Sequence, residues 1–300
     1  MNTNLTGILI LVTAYSVWGL FPIYFTLVAS VPPWEILSNR IVWSFLILGA
    51  VLLYLKKNAL THLRSKKTMT YLFFASFFIA SNWLIFIYGV QAEKILETSL
   101  GYYLSPLISI ALGLVFFKEK MRPLQWLCLF LASCAIVYQW MSLGYFPMIS
   151  FFLALSFSFY SLMKKKIQID SLSSLFVETL FLAPFAFLYL AYLHEENTLV
   201  FAQSGDIYMS ILLFASGVLT ITPLLLFSKG LAYVPMYVSG FLQYITPSIS
   251  FAVGVFLYGE ILDTTKIITF SVIWTALVLF IIDASLHHKK NKKQQAVFQP

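Results

Sequence analysis

The sequence predicts an all-α integral membrane protein in which ten transmembrane helices form two inverted five-helix repeats. Composition indicates the class, because hydrophobic residues fill 60% of the 300 positions and charged residues only 10%. An ordinary soluble domain has roughly 45–50% and about 25%. The arrangement follows from two further observations, an internal repeat and the distribution of basic residues.

The internal repeat relates segment 97–120, ETSLGYYLSPLISIALGLVFFKEK, to segment 237–260, YVSGFLQYITPSISFAVGVFLYGE. A shift of 141 positions aligns Tyr103 with Tyr244, Ser105 with Thr246, Pro106 with Pro247, Ser109 with Ser250, Gly113 with Gly254 and Glu119 with Glu260. Internal repetition has to be recognised before a fold is assigned. We place one repeat at 1–141, the second at 142–284, and a basic, disordered tail at 285–300.

Ten apolar runs have about the 20 residues that a bilayer-crossing helix needs. The first, 7–28, is interpreted as a retained span, because Met1–Thr6 lacks the basic residues of a signal peptide. The others lie at about 36–55, 69–90, 98–117, 123–140, 146–163, 173–193, 207–230, 236–258 and 265–283.

Basic residues predict the orientation of these spans. With the N-terminus inside, the inner loops and tail hold fifteen Lys and Arg residues, whereas the outer loops hold only Lys94 and Lys266. The positive-inside rule therefore places both termini in the cytoplasm. Because each repeat has an odd number of spans, the second enters the membrane from the opposite side, as in many secondary transporters. The net charge of +7 thus reflects topology, and nucleic acid is not an expected partner.

Several runs resemble a known family when taken together as an ordered set. These are EILSNRIVWSFLIL, ETSLGYYLSPLIS, GFLQYITPSIS and GVFLYGE, which resemble the RarD branch of the EamA-type transporters in the drug/metabolite transporter superfamily. The resemblance covers nearly the whole chain to about Asp283. It implies a multi-pass inner-membrane carrier of small organic solutes, in which two five-helix bundles rock about a central cavity. One departure is Asn39, where the family pattern more often has His, and this departure puts a His-based coupling scheme in doubt.

Two ionisable residues lie at equivalent places within predicted spans. Arg40 is near the start of the second span and Glu178 near the start of the seventh, and these spans align with a shift of 138. An ionisable group inside a membrane costs roughly 2.5–3.5 kcal/mol on insertion scales and by default indicates a functional site. Both are therefore candidates for a substrate cavity. Alternatively, each side chain reaches the headgroups, as we expect for Lys229 at the inner end of the eighth span.

Small residues recur every fourth position in the fourth and ninth spans. They are Gly101, Ser105, Ser109 and Gly113 in one, and Thr246, Ser250 and Gly254 in the other. This spacing favours close helix packing, and we expect the two stripes to meet at the repeat interface. Pro106 and Pro247 each free a carbonyl one turn earlier, and freed carbonyls persist only where protein or a water-lined cavity satisfies them.

The prolines therefore nominate four neighbouring residues as cavity lining: Tyr102, Tyr103, Gln243 and Tyr244. Aromatic anchoring at the membrane interface is the alternative for the tyrosines. Trp18, Phe21 and Tyr24 surround Pro22 in the first span, Asn82 and Trp83 interrupt the third, and Thr220, Thr222 and Pro223 interrupt the eighth. Aromatic groups with a few hydrogen-bonding groups suit an amphipathic organic solute.

Other classes of function find little support in the sequence. All four histidines fall outside the spans, so we expect no metal site, and neither a P-loop nor a nucleophile with a paired base is apparent. We predict a transporter, not an enzyme, that needs no cofactor. A non-transporting assembly or sensor subunit and an intramembrane enzyme remain as alternatives. Substrate, transport direction, a coupling ion or proton and oligomeric state stay open, while lipid headgroups are expected partners of the tail lysines.

Overall fold

The computed structural model describes residues 5–92, 94–167, 169–202, 206–259 and 264–297. These residues form twelve α-helices and one 3₁₀ turn, Ala59–Arg64. The helices are α1 (Leu5–Gly19), α2 (Phe21–Leu27), α3 (Pro33–Tyr54), α4 (Lys66–Gln91), α5 (Ile95–Phe116), α6 (Pro123–Leu143), α7 (Met148–Lys166), α8 (Ser171–Glu195), α9 (Ile207–Tyr233), α10 (Met236–Gln243), α11 (Ile245–Tyr258) and α12 (Thr264–Val297).

Local sequence signals explain where several helices begin and end. The side chains of Ser65, Asp170 and Asp206 accept hydrogen bonds from backbone N–H groups in the first turns of α4, α8 and α9, which otherwise lack intrahelical partners. At the other end of a helix, Gly144 closes α6 in the left-handed region, with φ of 73°. Glycine adopts this conformation without steric penalty.

Two predicted spans are each split into a pair of helices. The first breaks between Gly19 and Phe21, just before Pro22, and the ninth breaks at Tyr244, just before Pro247. A proline removes a backbone donor and clashes with the preceding turn. The repeat-related Pro106, by contrast, lies inside the continuous helix α5.

Nine helices or helix pairs in the described part of the chain are long and apolar enough to cross a membrane. They are 5–27, 33–54, 66–90, 97–116, 123–143, 171–195, 207–233, 236–258 and 264–287. The predicted sixth span forms α7 but is not among them, because it is rich in serine and ends in Lys164, Lys165 and Lys166. The serines are sheltered instead of facing lipid: Ser150, Ser156, Ser158 and Ser161 are all buried. Nine of the ten predicted spans are therefore confirmed by length and composition.

The principal helix contacts form a self-consistent set. α3 packs on α8, α5 on α10 and α6 on α12, which pairs the second, fourth and fifth spans with the spans five places later. α1 packs on α9 and α11, and α4 and α5 pack on α7; likewise α3 packs on α9 and α4 on α8. If five is added to the number of every span, with the count returning to one after ten, the same set of helix pairs results.

The two ends of the bundle can be told apart by contacts between loops. Lys57 lies 3.5 Å from Asp170, and Lys165 donates hydrogen bonds to the carbonyl oxygens of Leu231 and Val234 at 2.6 and 2.5 Å. We call the end formed by residues 54–66, 117–123, 164–167, 169–171 and 231–236 the lysine-rich end. At the opposite end, the Glu97 carboxylate accepts hydrogen bonds from Tyr145 Oη and the Ile149 backbone N, both at 3.1 Å.

The structure does not bring the two small-residue stripes together. Thr246 and Ser250 in α11 donate to the carbonyl oxygens of Tyr15 and Gly19 of α1, each at 3.0 Å. The break after α1 leaves the Gly19 carbonyl without an intrahelical donor, so a hydroxyl satisfies it. Ser105 in α5 instead meets α7, because Ser158 Oγ donates to its carbonyl at 3.0 Å.

The fourth and ninth spans nevertheless touch through other atoms. A Cβ added to Gly240 of α10 would lie 3.1 Å from the Pro106 carbonyl oxygen, and one added to Gly113 of α5 would lie 3.1 Å from Met236 Cβ. The contact between the two spans is therefore made mainly by α10, and α11 contributes less to it.

The final helix continues well past the predicted end of the tenth span. α12 runs to Val297, so residues 285–297 are helical where a disordered tail was predicted. Lys, Gln and Ala are good helix formers, and an existing helix supplies the costly nucleus that a separate segment would lack.

Candidate functional site

A cavity of about 390 Å³ lies among the helices and extends from the middle of the bundle to the end opposite the lysine-rich end. Its innermost lining includes Tyr15 and Leu224, and at the far end it reaches Tyr258 and Lys266. A volume in the range of about 300–1,000 Å³ is typical of sites for small organic ligands. Aromatic rings dominate the wall: Tyr15, Trp18, Phe21, Phe25, Trp83, Phe86, Tyr102, Tyr103, Phe157, Phe251, Tyr258 and Phe270.

Polar side chains and small residues complete the wall. The polar ones are Arg40, Asn82, Ser99, Ser105, Gln139, Thr220, Gln243, Thr246, Ser250 and Lys266, and the small or cyclic ones include Pro22, Gly101, Pro247 and Gly254. The described lining thus contains two cationic residues and neither Asp nor Glu.

Arg40 of α3 projects into this cavity and is half-buried. Its Nε donates to Thr220 Oγ1 of α9 at 2.9 Å. The guanidinium carbon lies 5.2, 5.8 and 6.0 Å from the ring centres of Trp83, Phe25 and Phe21. Cations at such distances are attracted by aromatic faces. Arg40 thus lies on the cavity wall, and its role in binding a solute stays a prediction.

Asn82 of α4 is held in place from α7. Its Nδ2 donates to the Leu153 carbonyl oxygen at 2.9 Å and to Ser156 Oγ at 3.1 Å. Those two bonds use both protons of the amide and leave its carbonyl oxygen as an acceptor at the cavity wall.

Gln243 of α10 joins the two halves of the chain at the cavity wall. Its Nε2 donates to Ser105 Oγ at 2.8 Å, and Ser109 Oγ donates to Ser158 Oγ at 3.1 Å. Gln243, whose own backbone carbonyl Pro247 was predicted to free, thus belongs to a polar cluster that α5, α7 and α10 share. Ser109 belongs to this cluster but does not line the cavity.

The lysine-rich end is closed by contacts between the two halves of the chain. Glu119 accepts hydrogen bonds from the backbone N–H groups of Met236 and Tyr237, at 2.6 and 2.9 Å, where α10 begins. A carboxylate is stabilised at a helix N-terminus by the unpaired N–H groups and the helix dipole. Arg122 pairs with Asp283 of α12, and nearer the cavity Tyr15 Oη lies 2.8 Å from Ser239 Oγ.

Comparison with known proteins agrees with this architecture. A model of the EamA-like transporter family matches residues 5–141. An uncharacterized transporter of Vibrio cholerae is 40% identical over 280 residues, covering 92% of each chain. Protein RarD of Escherichia coli is 36% identical over 293 residues, covering 96% of this chain and 97% of its own. This chain belongs to the RarD branch of the EamA-like transporter family.

More distant relatives share the fold. A Pseudomonas aeruginosa relative of this RarD-branch chain, named chloramphenicol-sensitive protein RarD, is 27% identical, covering 93% of this chain and 94% of its own. A solved crystal structure superposes with a TM-score of 0.70 at 15% identity, covering 93% of this chain and 98% of the other. The chain is therefore a multi-pass membrane protein of a transporter family and not an enzyme.

Two residues nominated as cavity lining in this RarD-branch chain lie elsewhere. Glu178 is buried at the far side of α8, where it binds Lys164, Ser174 and Tyr160. Tyr244 is 1% exposed and packs with Leu100 and Tyr103, and its buried hydroxyl has no hydrogen-bond partner among the described residues. Both face away because a helix presents only part of its circumference to the cavity.

Several other predicted positions also fall outside the cavity wall. Tyr24 donates from Oη to the Leu212 carbonyl oxygen at 3.2 Å, and Asn39 donates from Nδ2 to the Glu35 carbonyl oxygen at 3.0 Å. Position 39 therefore faces packing and not solute. Thr222 and Pro223 are likewise absent from the lining. Pro106 and Gly113, which were predicted as hinge and packing residues, also lie outside it. Lys229 is exposed, and its snorkelling role stays a prediction.

Sequence reasoning missed several lining residues that helical periodicity could have found. Phe25 follows Phe21 by four positions, Phe86 follows Asn82 by four, and Phe251 follows Pro247 by four. Positions four apart share a helix face. Gln139 and Lys266 sit near helix ends, where a polar residue is ordinary, so the sequence carried no signal for them.

Proposed function

We propose that this chain is a secondary transporter that exports small organic solutes across the cytoplasmic membrane by alternating access. The observation that carries the proposal is the cavity, which extends to one end of the bundle while Glu119, Lys165 and Arg122 close the other. A carrier must expose its site to one side at a time. In the predicted topology the lysine-rich end is cytoplasmic, and the structure corresponds to an outward-facing state.

The contact pattern supports the inverted-repeat part of the proposal. The principal helix pairs map onto themselves when every span is moved by five, which is the relation that two equivalent five-helix units would produce. Transporters of this design place the solute near the membrane midplane between the repeats. The Gln243–Ser105 hydrogen bond joins the two halves at that depth.

Energy for export would come from an ion or solute gradient.

The two other classes of function, an intramembrane enzyme and a sensor or assembly subunit, fit the same observations less well. An intramembrane enzyme needs convergent catalytic groups, and the described cavity wall holds no carboxylate or histidine. A sensor or assembly subunit needs no central cavity that reaches one face.

Flux through purified protein in liposomes tests the proposal. Proteoliposomes loaded with a mixture of labelled small aromatic solutes should release at least one faster than protein-free liposomes. A variant with Gln243→Leu, which removes the hydrogen bond to Ser105 in the cavity wall, should lose that release, whereas Lys229→Met at the exposed surface should retain it. Equal release from wild-type and protein-free liposomes for every solute would contradict a transport function.

A further inference from the structure

The guanidinium of Arg40 is oriented by one hydrogen bond and leaves its outer nitrogens unused. Thr220 Oγ1 donates its proton to the Ser216 carbonyl oxygen at 2.7 Å, so the same oxygen can only accept from Arg40 Nε, which it does at 2.9 Å. The two Nη groups have no hydrogen-bond acceptor among the described residues. Four N–H donors in a planar fork are thereby presented to the cavity.

The positive charge of Arg40 has no counterion in the described part of the chain. Among the described residues no carboxylate forms an ion pair with it, and the four ion pairs found there join other side chains. The rings of Trp83, Phe25 and Phe21 offset part of its desolvation. An ionisable group within the membrane is expected to have a partner, and the residues that the structure describes supply none.

The chemistry of the wall restricts what that partner can be. A guanidinium fork fits a planar carboxylate through two parallel hydrogen bonds. Beyond Arg40, the space is bounded by aromatic rings, including Trp18 and Phe157, whose ring centres are 5.7 Å apart at 84°. Such rings favour offset or edge-on contact with another ring.

We propose that the cavity takes aromatic monocarboxylates, with the carboxylate on the Nη groups of Arg40 and the ring among the aromatic side chains. The inference rests on the proposed transport function and names the substrate class of that site. A second negative charge would find no second cation at the depth of Arg40, since the other cationic lining residue, Lys266, lies at the cavity's far end. Cations are disfavoured because the described wall has no carboxylate.

The test uses matched ligands on the intact chain in lipid nanodiscs. The probe is radiolabelled 2-naphthoate, displaced by unlabelled 2-naphthoate, 2-naphthamide, 2-naphthylmethylammonium or naphthalene-2,6-dicarboxylate. Charge-assisted hydrogen bonds to a carboxylate correspond to about 10- to 100-fold in affinity. We expect the neutral amide to compete at least tenfold more weakly than 2-naphthoate, and the cation and dianion to compete more weakly still.

Variants of the orienting residues separate this site from general hydrophobic binding. Arg40→Met should abolish the preference for carboxylate over amide, and Arg40→Lys should keep part of it, because a lysine retains charge without the fork. Thr220→Val has nearly the same shape but removes the acceptor for Nε, and it should reduce the preference while the protein remains folded. Lys229→Met is the matched control and should bind as wild type.

Three results would overturn the inference: no saturable 2-naphthoate binding, equal competition by the amide, or an unchanged preference in Thr220→Val and Arg40→Met. Flux assays keep this failure distinct from failure of the transport function. Carboxylate binding without flux would contradict transport but leave the binding site intact. Flux of neutral solutes with no carboxylate binding would contradict only the substrate class.

Discussion

Lys164 and Glu178 form an ion pair inside the helical bundle, with Nζ 2.6 Å from Oε1 and side-chain exposures of 1% and 2%. Ser174 completes the pair, since its Oγ donates to Glu178 Oε1 at 2.7 Å. Tyr160 donates to the other carboxylate oxygen at 3.2 Å. The carboxylate that sequence reasoning assigned to the cavity is therefore neutralised by a lysine from the neighbouring helix, and this lysine also lowers the hydropathy of α7.

This pair predicts a specific pattern of stability changes. Removing one partner of a buried pair leaves an uncompensated charge and typically costs about 3–5 kcal/mol, whereas replacing both by apolar groups is often far less costly. We expect Glu178→Leu and Lys164→Met each to lower the thermal unfolding temperature more than the double variant does. Additive losses in the double variant would contradict a coupled pair.

The hydrogen bonds from the backbone of Met236 and Tyr237 to Glu119, which we call the latch, are expected to keep the lysine-rich end closed. Glu119→Gln replaces one acceptor oxygen by a donor, so one of its two bonds to Met236 and Tyr237 is lost. The lysine-rich end should therefore open more often in this variant. Ser239→Cys, placed in a cysteine-free background and buried below the cavity, should then react faster with a reagent applied from the lysine-rich side.

Glu97→Gln is the matched control for the latch, because Glu97 also accepts a backbone N–H but lies at the opposite end. It should leave the labelling of Ser239→Cys unchanged. The latch would be excluded if Glu119→Gln and Glu97→Gln altered the labelling equally.

Gly113 makes the same end sensitive to added volume. A Cβ there would lie 2.6 Å from Glu119 Oε2 and 3.1 Å from Met236 Cβ, so even Gly113→Ala must displace the latch. Overpacking of this kind typically costs about 1–3 kcal/mol. We expect Gly113→Ala to raise labelling of Ser239→Cys as Glu119→Gln does. Gly49→Ala, whose Cβ would meet only Phe176 at 3.3 Å, should not.

A substitution at Gly254 tests whether this residue packs between helices or lines the cavity. It was expected to mirror Gly113 in the helix contact, but it lines the cavity. Gly254→Leu should therefore reduce solute binding by filling space and leave labelling at the lysine-rich end unchanged. A rise in that labelling would place Gly254 in the helix contact after all.

Sequence alone predicted the class, the span positions and much of the cavity, for identifiable reasons. Apolar length and proline position are local properties, so Pro22 and Pro247 correctly mark places where spans one and nine carry polar or irregular backbone. The partner of Glu178 was not predictable in the same way, because Lys164 belongs to another helix and reads as an end-of-span lysine. The stripe contacts failed for a related reason: small residues specify close packing but not which helix approaches.

Asp170 gives a pH-dependent prediction outside the membrane spans. Burial raises the pKa of its carboxyl, but hydrogen bonds from Ser173 and the charge of Lys57 outweigh this effect and hold the pKa below its ordinary value of 3.8. A lowered folded-state pKa gives stability that is present above the unfolded-state pKa and lost as pH falls through the folded one. Asp170→Asn retains a good N-cap but cannot titrate. In this variant the stability that Asp170 contributes should no longer be lost as the pH falls below about 4. An unchanged acid dependence of unfolding would contradict this role.

The inverted repeat depends on the predicted topology. Helix α7 decides it, because α7 is not among the nine helices or helix pairs of the described chain that are long and apolar enough to cross a membrane. Single cysteines at Ser65, Ser142, Ser171 and Asn197 should label with an impermeant reagent from inside, outside, inside and outside, respectively. Ser142 precedes α7 and Ser171 follows it, so opposite labelling shows that α7 crosses the membrane. Labelling of both from one side would leave nine crossings, place the termini on opposite sides and remove the inverted relation, whereas the helix contacts within the bundle would stand.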